Sequence, residues 1–83
     1  MQNQDILVVN EKTGRIMKGM RIQLNCSQAE FGGKIGIKQP TVAAIEAGRL
    51  QPSIQMVEKL ANRFGLDPKC ITGQEPMVWA ALA

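Results

Sequence analysis

The sequence predicts an all-α domain of five short helices, and three observations predict it. A chain of 83 residues can build one hydrophobic core and no second lobe. That core has to be aliphatic, because two Phe and one Trp are the only aromatics while apolar residues make up 45% of the chain. Apolar positions then recur at helical spacing between residues that suit helix starts and residues that suit helix stops.

Asn10 is placed to cap a first helix from about Glu11 to Leu24, with Ile16, Met17, Met20 and Leu24 on one stripe. Gly14 and Gly19 weaken that helix by about 1 kcal/mol each relative to Ala, so it should depend on packing. Asn25 suits the left-handed residue that ends it. Ser27-Gln28-Ala29-Glu30 reads as a capping box opening a second helix, about Gln28 to Ile35. Gly36 permits a left-handed turn, Ile37 fills the corner, and a third helix runs to about Glu46 with Val42 and Ile45 inward. After the loop Ala47 to Pro52, Ser53 caps a fourth helix, about Ile54 to Phe64, whose Val57, Leu60, Ala61 and Phe64 share one stripe. Gly65 with Leu66 reads as a Schellman stop, and Asp67-Pro68 as a cap followed by Pro in the first turn of a short fifth helix ending near Gly73.

The expected division is an N-terminal arm at 1–10, a helical domain at 11–73 and an apolar tail at 74–83. Within the arm, Ile6 to Val9 is a β-prone run and a candidate short strand. The tail, Met77 to Ala83 with Trp79, is a candidate dimer contact, and packing of both segments on their own domain is the alternative.

Composition removes several function classes. The chain lacks His and Tyr and has no clustered carboxylates, so neither a general base nor a metal site can be assembled and no enzyme is expected. Cys26 and Cys70 form no CxxC pair; both are expected as reduced thiols in a cytoplasm, Cys26 as a small apolar core residue and Cys70 without an assigned role. No basic segment precedes an apolar stretch at the N-terminus, so neither a signal peptide nor a membrane span is expected. The net charge is +3, and all of the excess falls in residues 1–49, which hold seven bases against four acids. A polyanion-binding face gives that distribution, and so does a solvated helix surface.

The segment Gln28 to Ala47 carries the functional signal. Phe31, Ile35, Ile37, Val42 and Ile45 seal a wedge between two helices, Gly32 is small where their backbones approach, and Gly36 makes the turn. Spacing alone also fits an ordinary helical hairpin. With Arg21-Ile22-Gln23-Leu24 before it, Ile45-Glu46-Ala47-Gly48-Arg49 and Pro52 after it, and Leu60-Ala61 with Phe64-Gly65-Leu66 beyond, the sequence resembles the lambdoid phage repressor and Cro family, also called the xenobiotic-response-element family. The resemblance covers about residues 13 to 73.

It implies a five-helix lambda-repressor-like domain whose third helix enters the DNA major groove. By position, Gln28 is implied to grip a phosphate, and Lys38, Gln39, Pro40, Thr41, Ala43 and Ala44 to face the groove. Arg49 and Lys38 suit phosphates. Gln39 has the amide that can pair with adenine, but Pro40 disfavours the α region for its predecessor. The expectation is therefore a recognition helix starting at Pro40 with Gln39 as its cap, and recognition carried largely by phosphates and DNA shape, since Ala43 and Ala44 offer only methyl groups. Arg21 and Glu46 match a family pair that joins the first helix to the end of the third, a structural role shared by Gly32 and Gly36.

The function these readings imply is a DNA-binding transcriptional regulator of bacterial or phage type, a repressor acting as a homodimer on a two-fold-related operator of double-stranded DNA without a cofactor. The rival is a protein-binding role, with a toxin or anti-repressor partner held by the tail.

Overall fold

The computed structural model describes residues 6–82, and these form five α-helices and a closing 3-10 turn. The helices are α1 (Glu11–Gln23), α2 (Gln28–Ile35), α3 (Gln39–Glu46), α4 (Ile54–Phe64) and α5 (Pro68–Thr72), and the turn is Trp79–Leu82. None of them is long and apolar enough to cross a membrane.

The starts are made by local side chains. Asn10 accepts from the N–H of Lys12, while Thr13 Oγ1 accepts the Asn10 N–H at 3.2 Å. Ser27 and Glu30 satisfy one another in the capping box, with Glu30 Oε1 2.8 Å from the Ser27 nitrogen and Ser27 Oγ 3.0 Å from that of Glu30. Ser53 and Asp67 cap α4 and α5 through single bonds to Met56 and Lys69. The stops are left-handed residues: Asn25 at φ 59°, Gly36 at 76° and Gly65 at 67°. Behind Gly65, the Leu66 N–H reaches the Ala61 carbonyl at 2.9 Å, the Schellman bond.

All five helices contribute to one core. Met17 and Met20 from α1, Phe31 and Ile35 from α2, Val42 and Ile45 from α3, Val57, Leu60 and Ala61 from α4, and Ile71 from α5 are buried together. Each large side chain there stabilises the fold by about 1.5–3 kcal/mol. Glycines set the two closest approaches. A Cβ on Gly14 would strike the Ile45 carbonyl oxygen, so α1 lies directly on α3, and a Cβ on Gly32 would strike the Ile37 carbonyl oxygen and crowd Val42, so α2 lies directly on the turn and α3. The helix-weakening Gly14 thus trades propensity for contact.

The structure corrects two expectations. Ile6–Val9 is not a strand. It runs beside the tail, where one side chain takes two of its backbone groups: Gln74 Nε2 donates to the Ile6 carbonyl at 2.8 Å and Gln74 Oε1 accepts the Val8 N–H at 2.9 Å. The buried Thr72 hydroxyl lies 2.7 Å from the same Oε1 and orients it. The second correction concerns α3. Its N-cap is Lys38, with φ −81° and ψ 153°, so Gln39 is the first helical residue and Pro40 the second. The Lys38 carbonyl accepts both the Thr41 and Val42 N–H groups, at 3.0 and 3.1 Å, which fixes the helix start one residue ahead of the proline-based expectation. Proline at the second position removes an N–H that would have had no intrahelical partner.

Of the two alternatives for the tail, packing on its own domain holds for part of it. Leu82 is in the core and Met77 packs against it, and the Trp79 ring lies over Gly19 of α1. Val78 and Trp79 remain 55% and 40% exposed.

Candidate nucleic-acid interface

A chain of side-chain hydrogen bonds joins the N-termini of α2 and α3. It begins at the ion pair of α1 and α3. Arg21 Nε lies 2.7 Å from Glu46 Oε2 and Arg21 Nη2 lies 3.1 Å from Oε1, a two-pronged pair in which the side chains are 16% and 5% exposed. The Glu46 hydrogen bond raises the Arg21 guanidinium above its already high value. Arg21 Nη1 also donates to the Cys26 carbonyl at 3.0 Å, which ties down the turn before α2.

From Glu46 the chain turns outward. Gln28 Nε2 donates to Glu46 Oε1 at 3.2 Å, and Gln39 Nε2 donates to Gln28 Oε1 at 2.7 Å. A carboxylate can only accept, so it fixes which end of the Gln28 amide faces it, and Gln28 in turn fixes Gln39. One Gln39 N–H is used. Its second N–H and its Oε1 stay free on an exposed side chain, and that donor–acceptor edge matches N7 and N6 of adenine.

Lys38, Pro40 and Arg49 are exposed, while Gln28, Thr41, Ala43 and Ala44 are half-buried. Arg49 is held at the far end of α3, where its N–H bonds the Ala44 carbonyl at 2.9 Å after a left-handed Gly48. Gln28 sits at the first position of α2, beside free backbone N–H groups and the positive end of the helix dipole. The arrangement therefore offers an anion seat at the start of α2, cations at both ends of α3, and a pre-oriented amide between them.

Sequence reasoning placed Arg21, Glu46, Gly32 and Gly36 in structural roles; in the structure Arg21 and Glu46 form an ion pair, Gly32 abuts the Ile37 carbonyl, and Gly36 ends α2 in the left-handed region. It missed that Glu46 also holds Gln28. The available signal was that Gln28 and Gln39 both begin helices joined by a tight turn, which brings two long amides to the same end. Of the two thiols, Cys26 is half-buried and Cys70 is buried, where desolvation pushes it up from the usual thiol range.

Comparison with known proteins agrees with this geometry. Residues 17–69 match the family HTH_3, described as helix-turn-helix. An HTH-type transcriptional regulator of Methanocaldococcus jannaschii is 34% identical over 50 residues, which is 60% of this chain and 76% of that protein. The HTH-type regulator YgzD of Bacillus subtilis gives the same figures, 34% over 50 residues, 60% and 76%. One from Archaeoglobus fulgidus is 29% identical over 48 residues, covering 58% of this chain and 68% of its own length. No solved structure gives a significant match.

Proposed function

This chain belongs to the helix-turn-helix family HTH_3, a DNA-binding transcriptional regulator rather than an enzyme, and from that premise we propose that it is a repressor that occupies a two-fold-related operator as a dimer. The observation that carries the proposal is the chain from Arg21 through Glu46 and Gln28 to Gln39, which fixes an amide at the start of α3 before any DNA arrives. Preorganisation of this kind removes the entropy cost of ordering a long side chain on binding.

In this reading α3 lies in the major groove, Gln39 pairs with adenine, and Gln28, Lys38 and Arg49 hold phosphates on either side. Pro40, Thr41, Ala43 and Ala44 line the groove with small contacts. Glu46 stands close to the same backbone, and its charge is cancelled by Arg21. One such module buries too little DNA surface for useful specificity, which is the reason for two copies on half-sites about 10 bp apart.

Titration of operator fragments against salt tests it. A dimer that neutralises about six to eight phosphates gives a slope of log K against log salt of about −5 to −7. A slope near zero would favour a protein partner for this fold instead.

A further inference from the structure

We propose that the arm, Ile6–Val9, straightens into a strand and pairs antiparallel with the same arm of a second copy, so that the dimer is closed by a two-stranded ribbon. The proposal deepens the two-fold reading above and rests on it. Its basis is the arm's backbone. Gln74 takes the Ile6 carbonyl and the Val8 N–H, and Asn10 Nδ2 reaches the Val8 carbonyl at 3.4 Å. In an extended chain the N–H and C=O groups of successive residues point to opposite edges, so those of Leu7 and Val9 point away from Gln74. Among the described residues none of these four groups makes a hydrogen bond. The arm thus has one edge satisfied by a side chain and, among the described residues, the other open.

Nothing in the arm guards that edge. It has no charge, proline or glycine between Ile6 and Val9, the usual devices that stop an edge from pairing. The side chains alternate as a strand should, with Leu7 and Val9 half-buried against the domain and Ile6 and Val8 49% and 51% exposed on the outer face.

A second copy fits the edge by symmetry. With Val8 opposite Val8 of the partner subunit, Leu7 of each arm exchanges two bonds with Val9 of the other, which satisfies all four open groups in each copy. The two-fold axis then passes through the ribbon between the two valines. Both domains hang from the same face of the ribbon, each with its Gln74 at an outer edge, as a two-fold DNA site requires. A ribbon of four bonds is marginal on its own, so the dimer should be weak in free solution and tight on DNA.

Cysteine cross-linking of the full chain tests the register. In a Cys26→Ala background, Val8→Cys should form a disulfide dimer under mild oxidation, because directly opposed non-hydrogen-bonded residues bring their Cα atoms to about 4.5 Å. Ile6→Cys should not, since its copies are separated by about four residues along the ribbon. Equal cross-linking at both positions, or none at either, overturns the proposal. Leu7→Pro removes one open N–H and should weaken self-association at least tenfold while helicity by circular dichroism is unchanged; unchanged association also overturns it. A dimer by mass that fails to cross-link at Val8→Cys removes the ribbon and leaves the two-fold reading standing. A monomer at all concentrations, both free and on DNA, removes both.

Discussion

The amide of Gln39 donates to that of Gln28 over 2.7 Å, so the first residue of α2 and the first residue of α3 act as one unit. The two amides are therefore coupled, and a change at either is felt by the other.

The first prediction follows from that coupling. Gln39→Ala should relax specificity at one base pair by about 1–3 kcal/mol, because the adenine partner is lost while the helix start, made by Lys38, survives. Gln28→Ala should weaken binding to every sequence and also blunt the same base preference, since Gln39 loses its anchor. Binding sites selected from random DNA by the wild type and by each variant check both. A uniform loss for Gln39→Ala, with preferences intact, would show that the side chain reads nothing.

The reading of Gln39 shows where local sequence rules stop. The caps at Ser27 and Asp67, the left-handed stops at Asn25, Gly36 and Gly65, and the close approach at Gly32 were all legible, since each depends on residues a few positions apart. The rule that a residue before proline avoids the α region pointed to Gln39 as a cap. It lost to the Lys38 carbonyl, which already collects the first bonds of the helix. Gly14 and Gly19 looked like mere weak points, because the Ile45 backbone and the Trp79 ring that need the space are 31 and 60 residues away. Gln74 carried no signal at all: an exposed glutamine takes two backbone groups of the arm only once the arm lies beside it.

Arg21 and Glu46 should be energetically coupled. Replacing either alone leaves the other charge nearly buried and should cost about 3 kcal/mol, whereas replacing both with apolar residues should cost much less. A double-mutant cycle by urea denaturation measures this, and additive losses would contradict it. Glu46→Ala should in addition reduce DNA affinity, because it releases Gln28.

Two adjacent glycines in α2 should respond with opposite signs. Gly32→Ala drives a methyl group into the Ile37 carbonyl and should destabilise the fold by about 2 kcal/mol or more. Gly33 has open space around its missing Cβ, so Gly33→Ala should stabilise by about 0.5–1 kcal/mol through helix propensity alone. Denaturation midpoints of the two variants give the comparison.

The capping box should make stability depend on acid. The Ser27 backbone N–H, followed by its hydroxyl, holds the Glu30 carboxyl below the usual range. Its contribution is therefore complete above the unfolded value of about 4.3 and is lost as pH falls through the lower folded value. The gap in thermal midpoint between the wild type and Glu30→Gln should be present at pH 7 and close in acid, as the folded-state carboxyl takes up its proton below the unfolded value. A gap that persists in acid would mean that the charge is not what Ser27 recognises.

Trp79 is the sole tryptophan of the chain, and its ring rests on the bare backbone of Gly19 with a carbon 2.7 Å from where a Cβ would stand. The protein thus carries an intrinsic fluorophore on the seam between its first helix and its last turn. Its emission reports whether that seam is shut, a property that the helical signal of the other elements does not register, and it does so without any label.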